Sequence, residues 1–135
     1  LIGYPLTYYA TAPALVRTGL KLAVKDERCL TDALIAGYAR PLFVRGTALS
    51  QVWQAKSPKD GRLPVPQHLA EVTCPTLVIW GADDPIFPAE HGRRMANLLP
   101  NAQLQIIANV GHIPHEEDEP STTAIILGFL AERGV

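Results

Sequence analysis

A chain of 135 residues is long enough for one domain with a core of useful size. Its 12 basic and 13 acidic residues leave a formal charge of −1, which excludes an electrostatic footprint for nucleic acid or an anionic membrane. At 47% hydrophobic and 19% charged residues the composition is that of a globular protein, and disorder is not expected.

The chain opens on Leu1 rather than Met, so an upstream portion is expected. Leu1 to Val16 carry no charge and Ala10-Thr11-Ala12 mimics a signal-peptidase site. However, a basic n-region is missing, Pro5 interrupts the apolar run, and the run is too short to span a bilayer. Ala14, Leu15, Leu20, Leu22 and Val24 are loosely helical in spacing, without a clean stripe. Cys29 and Cys74 cannot build a disulfide framework and fit a reducing, cytoplasmic setting as buried or half-buried thiols. Thr31 is a good N-cap for a helix that places Leu34, Ile35 and Tyr38 on one face and ends at Pro41. Another helix is expected from Arg45 to about Ala55, carrying Leu49, Val52 and Trp53 inward. The polar, Pro- and Gly-rich stretch from Ser57 to Pro66 is the clear internal boundary. It divides a mostly helical segment, 1–66, from a second segment, 67–135.

Beyond it the rhythm becomes strand, helix, strand, helix, which makes the chain α/β. Thr76 to Trp80 is a compact, β-branched run, the mark of a strand buried on both faces. Pro88 suits the first position of a helix whose Met95, Leu98 and Leu99 face inward and which Pro100 ends. Leu104 to Ala108 is the second strand. The last helix starts near Pro120, behind acidic residues Glu116 to Glu119 that suit its N-terminal dipole. It is expected to bury Ile125, Ile126, Phe129 and Leu130.

Strand, crossover helix and strand in one sheet make a parallel pair, so both strands end at the same edge. Asp84 and His112 each lie four residues past the last apolar residue of their strand, Trp80 and Ala108. With neighbouring strands about 4.8 Å apart, the two loops bring them within hydrogen-bond reach. That edge is where open α/β sheets bind ligands. A carboxylate accepting from His112 Nδ1–H fixes the tautomer and frees the other nitrogen as a general base. Taken alone, an Asp after a strand is a turn former and a loop His a solvated side chain. Were these two only that, their separation would exceed a hydrogen bond. Asp83 competes as the acid, but fits an Asx-type turn at the strand exit better.

Other chemistries fare worse. His112, His115, Glu116, Glu117 and Asp118 suggest a metal site, but Pro114 between the histidines denies them a shared helical face. Gly81 and Gly111 do not compose a phosphate loop, because neither glycine signature is present. No metal and no cofactor are expected.

The run Cys74-Pro75-Thr76-Leu77-Val78-Ile79-Trp80-Gly81-Ala82-Asp83-Asp84-Pro85-Ile86-Phe87-Pro88 resembles the acid-bearing strand and loop of the α/β-hydrolase fold superfamily. Leu98 to Ala102, Leu104, Gly111-His112, the acidic stretch and a final helix are similar to the rest of that C-terminal half. The resemblance covers Leu69 to Val135, while Lys25 to Pro58 resembles, more weakly, the helical cap of these enzymes. It implies Asp84 as the triad acid and His112 as the base. It also implies a nucleophile on a glycine-flanked elbow earlier than the cap. Ser50, Ser57 and Ser121 are the only serines, none has flanking glycines at that spacing, and Cys29 and Cys74 are no better placed. The elbow and oxyanion donors are therefore expected before Leu1, and the isolated chain is expected to lack turnover and to associate through an unpaired strand edge.

The resemblance implies a hydrolase acting on an ester or related bond of a small, apolar molecule. Esterases, lactonases, carbon–carbon bond hydrolases, epoxide hydrolases, haloalkane dehalogenases and haloperoxidases share the pattern. Leu42, Phe43, Leu49, Val52 and Trp53 are candidates for an apolar acyl pocket or for plain cap packing. The alternative is a non-catalytic member of the fold that binds a small ligand or a partner.

Overall fold

The computed structural model describes residues 3–44, 46, 47, 50 and 68–134. The expected helix over Arg45 to Ala55, with Leu49, Val52 and Trp53, and the boundary at 57–66 fall outside the described residues. The chain divides into two compact units. One holds residues 3–21 and those from 28 onward in the first half; the other holds Leu22–Glu27 with the residues from 68 to the end.

In the first unit, α1 (Gly3–Lys21) runs straight through Pro13, and α2 (Asp32–Ala39) packs against it. The apolar run that lacks a clean stripe is a single helix as far as Lys21, and Leu15 stays largely exposed. Thr31 caps α2 as expected: its side-chain oxygen accepts from Leu34 N–H at 3.1 Å, satisfying one of the free donors of the first turn. Ile35 and Ala39 are buried, and the Arg17 guanidinium reaches the Leu30 carbonyl at 3.2 Å and ion-pairs with Asp32. Pro41 does end α2, and 40–43 tighten into a short 3₁₀ turn.

In the second unit, β1 (Thr76–Gly81) and β2 (Ala102–Ile107) pair in parallel, with Trp80 beside Ile106 and Gly81 beside Ile107. The helix between them, α3 (Ala89–Leu98), packs on both strands. Pro88 precedes its first turn as N-cap rather than opening it. A single-turn helix, α4 (Pro114–Glu117), and α5 (Glu119–Ala131) follow, and both touch β1. Asp118 caps α5 by accepting from Ser121 N–H at 3.2 Å, and buried Thr122 donates its hydroxyl to the Pro114 carbonyl at 3.0 Å.

Three burial expectations are corrected. Within β1 only Val78 and Gly81 are buried, because β2 is its one neighbouring strand among the described residues. Leu98 is 42% exposed, and Leu99, just past the helix end, is the buried one. Ile126 is 40% exposed: the apolar residues of α5 do not gather on one face, and the helix packs against β1 and α4.

Candidate active site

The two strand exits meet because the backbone leaves no room between them. Ala82 N–H donates to the Ile107 carbonyl at 2.8 Å, and Asp83 N–H to the Val110 carbonyl at 3.0 Å. A Cβ on Gly81 would sit inside the contact radius of the Val110 and Gly111 carbonyls, so this approach requires glycine. Asn109 turns the second loop with a left-handed φ of 59°, a conformation that Asn tolerates better than most residues. His112 N–H then donates to the Ala23 carbonyl at 2.8 Å, tying the loop to the segment between α1 and α2.

These constraints set Asp84 and His112 side by side. His112 Nδ1 and Asp84 Oδ2 are 2.8 Å apart. The carboxylate is 4% exposed and the imidazole 34%. The other carboxylate oxygen, Oδ1, accepts from the backbone N–H groups of Ile86 at 2.8 Å and Phe87 at 2.9 Å. Burial pushes the Asp84 carboxyl upward, but the bond from His112 and the two backbone donors outweigh it, and its pKa lies below the ordinary carboxylate value. At neutral pH Asp84 is therefore ionised and accepts only, so Nδ1 of His112 carries the proton. Nε2 makes no hydrogen bond among the described residues.

The Asx-type turn expected of Asp83 is made by Asp84 itself, through its bond from Ile86 N–H. One carboxylate thus both closes its own loop and holds the imidazole. Asp83 points elsewhere, its carboxylate 3.9 Å from Lys25 Nζ.

The Phe87 ring packs on His112, with centroids 5.6 Å apart and planes tilted by 51°. Its carbonyl accepts from Trp80 Nε1 at 2.9 Å, so the residues flanking the acid are also fixed. Beside the pair lies a cavity of about 120 Å³, lined by Ile79, Trp80, Gly81, Asp84, His112 and Pro114. Sequence reasoning does not assign Trp80 or Phe87 to the site; their positions just before and after the acid are the signal that could.

Asp84, His112 and the apolar walls together make an imidazole held on a carboxylate at the edge of a small cavity. None of the six lining residues is a serine, cysteine or threonine. Ser121 sits in the first turn of α5, with its N–H on Asp118. Of the suggested metal ligands, His112 is held by Asp84 and Glu117 by backbone donors, and no cluster fit for a metal ion occurs among the described residues. Nor does any described helix have the length and apolarity to cross a membrane.

The model of the α/β hydrolase fold family matches residues 4–119. The chain belongs to the α/β-hydrolase fold family. Within it, the chain is 30% identical over 116 residues to a 2-hydroxy-6-oxononadienedioate/2-hydroxy-6-oxononatrienedioate hydrolase from a Pseudomonas species, covering 86% of this chain and 41% of that protein. It is likewise 30% identical over 117 residues to a 2-hydroxy-6-oxo-6-phenylhexa-2,4-dienoate hydrolase from Burkholderia cepacia, covering 83% of this chain and 40% of that protein. The chain thus spans about two fifths of the length of these curated relatives. The fold is also that of the meta-cleavage product hydrolase CumD from Pseudomonas fluorescens IP01, with a TM-score of 0.69 at 19% identity over 90% of this chain and 46% of that one. The mixed α/β architecture expected from the strand–helix rhythm is therefore this family's.

Proposed function

We propose that this chain supplies the acid and the base of a hydrolase with a nucleophile–His–Asp triad. The observation that carries the reading is the 2.8 Å contact between His112 Nδ1 and a buried, ionised Asp84, with Nε2 making no hydrogen bond among the described residues. In this reading Nε2 takes the proton from a hydroxyl, thiol or water at the cavity, and Asp84 stabilises the imidazolium that forms. The nucleophile comes from outside the six residues that line the cavity. A hydroxyl or thiol nucleophile bonds to the substrate's carbonyl carbon, and the imidazolium returns its proton to the departing oxygen or carbon as its bond to that carbon breaks. A water that the same base then deprotonates opens the covalent intermediate and releases the acid.

Relatives and walls together support a substrate class. One quoted relative is named for 2-hydroxy-6-oxo dienedioic and trienedioic acids and the other for a 2-hydroxy-6-oxo dienoic acid. Ile79, Trp80 and Pro114 offer an apolar surface suited to the carbon skeleton of such a molecule. A small, largely apolar ester or oxo acid is the proposed substrate. The test is hydrolysis of p-nitrophenyl acetate and of 2-hydroxy-6-oxo-6-phenylhexa-2,4-dienoate by the full-length natural protein carrying this sequence. Turnover of at least one is expected, together with its loss in His112→Ala. Saturable binding without turnover would instead support a non-catalytic ligand-binding member of the fold.

A further inference from the structure

Glu117 occupies a position that neither its neighbours in sequence nor the acid–base pair explains. It closes the single turn α4 and is half-buried. Its Oε1 accepts from the N–H of Gly111, the residue before His112, at 2.9 Å. Its Oε2 accepts from Lys25 N–H at 2.6 Å and from Asp26 N–H at 3.3 Å. Three backbone donors from two distant segments thus converge on one carboxylate. Gly111 is packed so tightly that a Cβ there would stand 2.7 Å from the Ala23 carbonyl and Lys25 N, and 2.8 Å from Glu117 Oε1. The adjoining bond from His112 N–H to the Ala23 carbonyl completes the seam.

The helix-dipole role expected for the acidic run does not account for this. Asp118 is the residue that caps α5, and Glu119 stands in its first turn. Among the described residues Glu117 has no ion-pair partner, and the donors its carboxylate meets there are backbone N–H groups.

We propose that Glu117 is a positioning residue for His112: it locks the loop before the histidine onto residues 23–26, so that the imidazole stays on Asp84 and Nε2 faces the cavity. This rests on the proposed acid–base reading of the site. Positioning of this kind acts on the chemical step, because the base must hold its angle through proton transfer while substrate binding is made elsewhere.

The experiment compares Glu117→Ala, Glu117→Gln and Asp84→Asn in the full-length natural protein, using the substrate that the wild type turns over. Glu117→Ala is expected to lower kcat on the order of 10²-fold with KM little changed. Glu117→Gln, which keeps an acceptor for Gly111 N–H but turns an amide donor toward Lys25 and Asp26, is expected to lose about tenfold. In NMR spectra the His112 Nδ1–H signal should broaden or split in the alanine variant and be partly restored in the glutamine variant. A merely structural glutamate would lower the melting temperature while leaving kcat per folded molecule and that signal unchanged, which would overturn the proposal. If the alanine variant does not fold, the glutamine variant decides by the same two readouts. Collapse of turnover in Asp84→Asn without any loss in the Glu117 variants sinks this inference alone. Unchanged turnover in Asp84→Asn sinks the acid–base reading beneath it.

Discussion

The two strand exits that build the site are held in opposite ways. The loop after β1 is largely self-sufficient: Asp84 accepts from residues two and three positions ahead, and Phe87 returns a carbonyl to Trp80. The loop after β2 has little support of its own. Apart from the bond that its Val110 carbonyl accepts from Asp83, it rests on the Ala23 carbonyl and on Glu117, which also bonds a residue 92 positions away. Asp84 is thus positioned largely by local bonds and His112 by longer-range contacts. Local hydrogen bonds close early and cheaply in entropy, whereas the long-range seam exists only once the unit is assembled. Damage to the first loop should act on chemistry at the pair. Damage to the second should act on folding and chemistry together.

The largest expected effect tests the acid side. Asp84→Asn keeps the shape but removes the charge that orients the imidazole, and kcat should fall by roughly 10⁴-fold. Assays of folded, full-length protein check this, and Asp83→Asn should stay close to wild type. Next in size is the contact between the loops. Gly81→Ala forces a Cβ into the Val110 and Gly111 carbonyls and should cost about 3 kcal/mol, read from denaturant unfolding. A loss under about 0.5 kcal/mol, no larger than an ordinary surface substitution, would show that the exits can part without penalty.

Acid sensitivity separates the loops further. The folded-state pKa of Asp84 is depressed, so its contribution to stability is complete above the ordinary carboxylate value. It is lost as pH falls through the lowered folded value. The stability of Asp84→Asn should therefore flatten on the acid side relative to wild type, as followed by melting temperature against pH. The smallest effect lies outside the site: Thr31→Ala removes the α2 cap and should cost about 1 kcal/mol, with turnover unchanged.

The same local-versus-distant division explains what the sequence made legible. Thr76 to Trp80 announces a strand by its β-branched run, and the parallel strand pair puts Asp84 and His112 at one edge. The equal offset read from the sequence is not kept: Asp84 lies three residues past Gly81 and His112 five past Ile107, and the bonds between the two exits make up the difference. The Thr31 cap is equally local. Glu117 could not be assigned this way, because its donors at Lys25 and Asp26 come from the other end of the chain. Nor could Leu22–Glu27 be placed beside the histidine loop by composition or periodicity. Periodicity misled where apolar residues crowd together: α5 offers Ile125, Ile126, Leu127, Phe129 and Leu130, and spacing alone does not choose which of them packs. Asp83 and Asp84 illustrate a finer limit. Adjacent carboxylates suit the same turn, and only the bonds from Ile86, Phe87 and His112 distinguish them.

Ring-nitrogen NMR of His112 in the full-length natural protein at neutral pH tests the central claim most directly, with Asp84→Asn and Asp83→Asn beside the wild type. The expected result is a low-field Nδ1–H proton in the wild type and in Asp83→Asn that disappears in Asp84→Asn. Its persistence in Asp84→Asn, or its loss in Asp83→Asn, would contradict Asp84 as the residue that orients the base.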